Sequence, residues 1–451
     1  MEKKQYIIAI EIGSSKIVGV IAQKELPEGA VSIRAIQETK ISESVRYGCI
    51  KNVEEVKRSI NEVITKLNAQ IKDAEVTSIY LSLAGRSIRN ETVQVKKQFN
   101  IETPITQDII NDILQEGRKT SKVGFDVLDV VPQRFLIDNV EAKKPVGTFA
   151  SNISATLNTI IGKSTLKANL QRVIDPNIKV NGIILSPLAV AKHVLSYDER
   201  QLGCMLVDLG AETTTVSIYK NDALIHIATL PIGGRNITRD IMSLNVLEEK
   251  AENLKTSAGN AMPPSESLDQ SAQIDGIMVQ DISKLVVARS GEIIANINEQ
   301  FKFANINPED LAHGIILIGG SAKLNGFREL LEKSCHPKVK FGSYPKHVNI
   351  LAKKGQDSDL YIQAVSLAAE AAERIEPDMS CITRIAKPVE PEQEPEPENV
   401  DTKPEVETPK TPSKPEEDKD GRKKQGLNIL SSLKKLFTEN NTEEDEDGSY
   451  D

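Results

Sequence analysis

Two short runs place a carboxylate, a glycine and small hydroxyl residues in the same order. One is Glu11-Ile12-Gly13-Ser14-Ser15-Lys16, and the other is Asp208-Leu209-Gly210-Ala211-Glu212-Thr213-Thr214. A glycine two residues after the acid lets backbone N–H groups close on an anion, and the hydroxyls add donors. A carboxylate at the end of an apolar run suits a hydrated metal ion that accompanies a phosphate. Glu11 and Asp208 are thus the expected metal positions, acting through water. Gly13, Ser14, Ser15, Lys16, Gly210, Glu212, Thr213 and Thr214 form the expected phosphate surround. A third run, Ile316-Leu317-Ile318-Gly319-Gly320-Ser321, feeds a Gly-Gly turn on which a flat base can lie without meeting a side chain. Each run alone is a common pattern, whereas the three in this order and spacing make a strong signal.

The elements around these runs repeat. A second apolar run follows each acid-bearing one, at 17–21 and 216–219, so each reads as a hairpin. Two hairpins facing each other would clamp a polyphosphate between the halves of a duplicated α/β fold. A helix is expected over 52–66, opened by Asn52-Val53-Glu54-Glu55 in the manner of a capping box. A buried strand follows at 78–84. From 85 to 174 the pattern changes to α+β, with strands at 92–96, 127–135 and 153–161 and helices at 106–117 and 164–172. The large fold resumes with a strand at 180–185 and a helix at 188–195. The second half starts at Cys204, carries a helical subdomain at 237–306, and closes with the Gly-Gly strand, a helix at 326–332 and another ending near Arg374.

Charge and composition restrict the function. From 386 to 451 ten basic residues stand against nineteen acidic ones, so the tail carries the entire net charge of −9 and residues 1–385 are formally neutral. A neutral body lacks the basic face that nucleic acid requires. The four cysteines (Cys49, Cys204, Cys335 and Cys381) show no paired spacing and read as reduced thiols. The five histidines show no ligand spacing and read as ordinary surface or core residues. No apolar stretch approaches the roughly 18 residues of a membrane span. The Pro/Glu/Lys/Thr tract within 381–425 has too few apolar side chains to build a core and is expected to be a disordered linker. Beyond it, at 426–438, Ile429, Leu430, Leu433, Leu436 and Phe437 fall within an arc of about 100°, with Lys434 and Lys435 on the remainder. Such a short basic amphipathic helix is a candidate interfacial membrane anchor. One copy is marginal, and several copies on a polymer would bind by avidity. An acidic tail occupies 439–451.

The three glycine-containing runs resemble the two phosphate motifs and the adenosine motif of the actin/Hsp70/sugar-kinase superfamily. Within it the chain resembles the FtsA family of bacterial cell-division proteins over about 5–380 and at the terminal helix. Further local matches are Asp198-Glu199-Arg200-Gln201-Leu202-Gly203, Pro231-Ile232-Gly233-Gly234 and Ala251-Glu252-Asn253-Leu254-Lys255. The resemblance implies an actin-like duplicated α/β ATPase fold with an α+β subdomain inserted in the first half. The core halves would be 1–84 with 175–203, and 204–236 with 307–380, with the insertion at 85–174. It implies ATP and Mg2+ as ligands, with Gly233 and Gly234 at the nucleotide and Glu252 and Lys255 near the ribose and adenine. It also implies FtsZ, further copies of the chain, anionic inner-membrane lipid and other division proteins as partners, at the cytoplasmic side of the cell membrane at the division site.

Three departures from the superfamily pattern bear on chemistry. Glu11 stands where Asp is usual, and its extra methylene pushes the carboxylate toward the phosphates. Glu212 stands where Gly is usual and is expected to bring negative charge near them. Ser186 opens the helix at the position where hydrolysing relatives place Glu or Gln to orient the attacking water, a large part of NTP hydrolysis. The expectation is ATP binding with slow or negligible turnover. The alternatives are an ATPase or phosphotransferase of the superfamily, or a related actin-like adaptor of a pilus or secretion machine.

Overall fold

A computed structural model describes residues 4–26, 29–120, 122–263, 272–356 and 359–384. The expected linker beyond 384, the amphipathic helix and the acidic tail lie outside the described residues.

The duplication is visible in strand order. In the first half the strand Lys4–Ile12 pairs antiparallel with Lys16–Glu25, which pairs antiparallel with Val31–Lys40. On its other side lie the parallel strands Ser78–Leu83 and Lys179–Leu185. In the second half Cys204–Leu209 pairs antiparallel with Thr214–Lys220, which pairs antiparallel with Ala223–Leu230. Ile315–Ile318 and Val339–Phe341 are its parallel neighbours. The central strands are buried on both faces, which explains their continuous apolar runs.

Helices cover these sheets, and the one expected over 52–66 is among them. Val53–Asn68 is capped by Asn52, whose Oδ1 accepts from the Glu55 N–H at 3.0 Å, and it buries Val56, Ile60, Val63, Ile64 and Leu67. The second half carries the helices Gly234–Met242, Glu248–Ala258 and Val279–Ala304, whose apolar faces share one core with Met205, Val207 and Leu317.

The insertion has its own core of Ile105, Ile110, Ile113, Val130, Ala150, Ile153, Ala155 and Leu157, between the helix Gln107–Arg118 and long antiparallel strands. Its strand Arg89–Pro104 meets Ala223–Leu230 through the pair Ala228↔Arg89, so this sheet continues the second-half sheet. Asn90 reinforces the junction: its Oδ1 accepts from the Ile227 N–H at 2.9 Å.

The domain boundaries need three corrections. The insertion core ends before the helix Ser164–Arg172, because Leu166 and Leu170 pack into the first-half core. The second half does not run to 380: Val348–Ile350 pairs parallel with Val31–Lys40, and the helix Ile362–Arg374 buries its alanine-rich face in the first-half core. Nor does the linker begin at 381, since Ile382–Arg384 pairs with Ala74–Val76. Leu166, Leu170, Val348 and the helix Ile362–Arg374 are buried in the first-half core, and Ile382 packs against it.

Candidate functional site

The two acid-x-Gly turns fold alike. The Gly13 N–H donates to the Lys16 carbonyl at 3.0 Å, and the Gly210 N–H donates to the Thr213 carbonyl at 2.9 Å. Each turn joins the first two strands of its half, so Glu11 and Asp208 take matching positions in the two halves. Burial pushes Glu11 up to about 7, with the Asp208 charge adding to the rise and Lys16 opposing it. Burial pushes Asp208 up to about 6, against a hydrogen bond of 2.7 Å donated by Gln363 Nε2 to its Oδ1. Burial thus disfavours the charged form of both carboxylates.

Segments of the second half converge on the second turn. The Gly234 N–H donates to the Gly210 carbonyl at 3.0 Å, and the Arg235 N–H to that of Ala211 at 2.6 Å. Gly319 has φ +99°, and a Cβ there would lie 2.3 Å from the Leu209 carbonyl oxygen and 2.8 Å from Asp208 Oδ1. The glycine is therefore required both by conformation and by close approach. Gly234 faces Ser321 across a gap too small for a methyl group, while Gly320 is exposed beside them. Lys255 is buried and donates to Glu252 Oε2 (2.7 Å), Thr238 Oγ1 (3.0 Å) and the Gly234 carbonyl (3.2 Å). Burial lowers the Lys255 pKa, and the Glu252 charge opposes that shift. The structure thus brings Asp208, Gly210, Gly233, Gly234, Glu252, Lys255, Gly319, Gly320 and Ser321 around one locality of the second half.

Other expected ligands are already engaged. Lys16 pairs with Glu38 at 3.1 Å and lies over the Tyr361 ring. Ser14 Oγ accepts from the Gly48 N–H at 3.3 Å, and the Thr214 hydroxyl donates to the Ile232 carbonyl at 2.7 Å. The Ser15 carbonyl accepts from the Ile41 N–H at 3.0 Å. Ser186 is buried at the start of the helix Ser186–Val194.

Glu212 requires a correction. Its side chain is fully buried and does not add bare negative charge beside the phosphate turn. Arg46 Nε lies 3.2 Å and Arg235 Nη1 3.6 Å from its Oε1, Arg239 also pairs with that oxygen, and the Tyr47 N–H donates to Oε2 at 2.8 Å. Arg46 and Tyr47 belong to the first half, and Arg235 and Arg239 to the second. A buried carboxylate must be paired, and these cations turn it into a bridge between the halves. Arg235 adds a second bridge by donating to the Ser14 carbonyl at 3.1 Å.

Sequence reasoning missed Gln363, Arg46, Arg235 and Arg239. Arg235 and Arg239 could have been found from their place one and five residues after Gly234. Gln363 carries no such signal, because 155 residues separate it from Asp208.

A family model described as cell division protein FtsA matches residues 205–354, and one described as an SHS2 domain inserted in FTSA matches 85–161. The chain is 31% identical over 336 residues to the cell division protein FtsA of Porphyromonas gingivalis, covering 72% of this chain and 70% of that one. It is 26% identical over 384 residues to the Escherichia coli K12 protein of the same description, covering 81% and 90%. Among solved structures, the PilM–PilN type IV pilus biogenesis complex matches with TM-score 0.60 at 15% identity, covering 81% of this chain and 98% of that one. That last likeness concerns the fold alone.

Proposed function

Because the chain belongs to the FtsA family of cell division proteins, we propose that it is an ATP-binding adaptor that tethers FtsZ filaments to the cytoplasmic face of the cell membrane. The observation that carries the nucleotide part is the repeated turn. Glu11 and Asp208 stand on matching hairpins of the two halves, each followed by a glycine whose N–H closes the same hydrogen bond. The residues fit Mg2+ and ATP in chemistry, with two oxygen donors for a hard cation and backbone turns for a polyanion. Bound Mg2+–ATP would supply a charge that both turns grip at once.

In this reading Gly13, Ser15 and Gly210, with Thr213, face the phosphates. Glu11 and Asp208 hold the metal through water. Glu252 and Lys255 orient the ribose and adenine, and Gly319, Gly320 and Ser321 give the base a flat floor. Ser186 has too short a side chain to hold an attacking water as Glu or Gln would, so turnover is slow. Self-association uses the insertion, FtsZ binding uses the helical subdomain, and Ile429, Leu430, Leu433, Lys434, Lys435, Leu436 and Phe437 make the lipid contact. ATP favours closure of the halves and with it assembly, and the assembled copies hold the membrane through many weak helices.

The test is sedimentation with anionic vesicles of the full-length protein and of a chain stopped before Gly421, each with and without Mg2+–ATP. Pelleting of the full-length protein alone, strengthened by ATP, is expected. Equal pelleting of both chains would overturn the role of the terminal segment, and pelleting of neither would overturn the membrane role. An ATP-independent result would remove the coupling.

A further inference from the structure

Apart from the insertion, the described residues pass between the core halves twice. The first passage runs through the helix Ser186–Val194 and the helix Tyr197–Leu202 into Cys204–Leu209. The second runs from Val339–Phe341 in the second-half sheet to Val348–Ile350 in the first-half sheet. Any opening or closing of the cleft must bend these two strips of chain.

The last turn of the helix Ser186–Val194 touches both ends of the second passage. At its start, a Cβ on Gly342 would lie 3.2 Å from Val194 Cγ1, and the Gly342 N–H donates to the Leu317 carbonyl at 3.0 Å. At its end, His347 Nε2 lies 3.2 Å from His193 Nδ1, with ring centroids 5.2 Å apart. The other nitrogen of His193 lies 3.0 Å from Glu370 Oε2 on the helix Ile362–Arg374. The His193 side chain is only 2% exposed, whereas His347 is exposed.

The charges around this pair are specific. Glu370 receives Lys192 Nζ at 2.9 Å and Arg374 Nε at 2.8 Å, and Glu373 pairs with Lys192 and lies 3.9 Å from His193 Nε2. Both carboxylates are thus matched by fixed cations, which makes the cluster an ion-pair network and not a cation site. Burial alone would raise Glu370, but hydrogen bonds from His193, Lys192 and Arg374 hold it well below the usual carboxylate range. An ionised carboxylate only accepts, so His193 Nε2 carries a hydrogen. With His193 neutral, its bare Nδ1 accepts from His347 Nε2–H. With His193 protonated, the direction reverses and His347 must present a bare Nε2. With both rings protonated, two N–H groups face each other and no hydrogen bond is possible.

We propose that the His193–His347 contact is a proton-sensitive pin in the hinge, which releases the second passage from the helix Ser186–Val194 when both imidazoles are charged. The contact survives one proton on the pair and is lost with the second. Burial and the His193 and Lys192 charges lower the His347 pKa from its ordinary 6.5, and Glu373 opposes them. The pin therefore holds at neutral pH and opens on acidification. An opened pin frees the end of the second passage from the first-half helix, so that strip of chain bends more easily.

The test is hydrogen–deuterium exchange of the full-length protein at about pH 7.5 and pH 5, corrected for intrinsic exchange, with peptides covering 342–350, 186–195 and 149–163. Loss of one hydrogen-bonded contact predicts protection at 342–350 falling about fivefold or more on acidification, with 149–163 unchanged. The variant H347Q keeps a donor for His193 Nδ1 but cannot be protonated, and should keep its protection at both pH values. Equal acid loosening of H347Q and the wild type would overturn the proposal. So would an unchanged wild type, or a fall spread equally over 149–163.

Discussion

Replacing Glu212 by Gln separates two opposite pictures of this residue. If its carboxylate stood beside the phosphates, removing the charge would leave stability unchanged and tighten ATP binding. The structure instead places it fully buried among Arg46, Arg235 and Arg239, with the Tyr47 N–H on its other oxygen. Breaking a buried ion pair by removing one partner costs roughly 3–5 kcal/mol. The three arginine side chains are 30%, 11% and 28% exposed, so water takes up part of their stranded charge. The amide oxygen of Gln also retains the Tyr47 hydrogen bond. A loss of about 2–4 kcal/mol follows. With a urea slope near the top of the usual range, about 3 kcal/mol per M, the midpoint falls by about 1 M.

The assay is urea unfolding of nucleotide-free full-length protein by circular dichroism, with ATP affinity measured alongside on the same variants. Because Arg46 comes from the other half, the cycle of E212Q, R46Q and the double variant should show coupling above about 0.5 kcal/mol. An unchanged midpoint together with tighter ATP binding would refute the bridge and restore the sequence expectation.

The cleft acids give a pH prediction. A carboxyl raised in the folded state binds protons that the unfolded chain has released, so its burial costs stability as pH rises from its ordinary 4.5 to about 7. E11Q should therefore match the wild type below about pH 4.5 and exceed it by about 3 kcal/mol above pH 7, measured by urea unfolding without nucleotide. Identical pH profiles would show that Glu11 is solvated. Removing the Gln363 hydrogen bond with Q363L should raise the Asp208 pKa further and shift the pH midpoint of Mg2+-dependent ATP binding upward. An unshifted midpoint would refute that link. G319A forces an alanine into φ +99° against the Leu209 carbonyl and should cost at least about 2 kcal/mol by thermal or urea unfolding, with loss of ATP binding. A fully stable, ATP-binding G319A would refute the close approach.

Much of the site was legible because its parts are local. The turns at Gly13 and Gly210 are closed by hydrogen bonds spanning three residues, and acid-x-Gly spacing reports them directly. Asn52 and Thr106 cap the helices they were expected to open, since a cap depends on a side chain and an N–H three positions on. Duplication was legible for the same reason, because two copies of a local pattern announce two copies of a unit. The roles of Glu212 and the histidines were not legible. Glu212 meets Tyr47 across 165 residues and His193 meets His347 across 154, and no spacing rule spans such distances.

Residue order thus set the strands, the turns and the acids they present, because backbone conformation and hydrogen bonding there involve contiguous residues. Tertiary packing decided which charges became bridges. It also returned the segment after Val339–Phe341 to the first half, where Val348–Ile350 and Ile362–Arg374 cover apolar surface left open by Val31–Lys40 and Lys4–Ile12. Burial is a property of the assembled fold. A carboxylate such as Glu212 acquires its role only when distant segments remove its water and supply its cations.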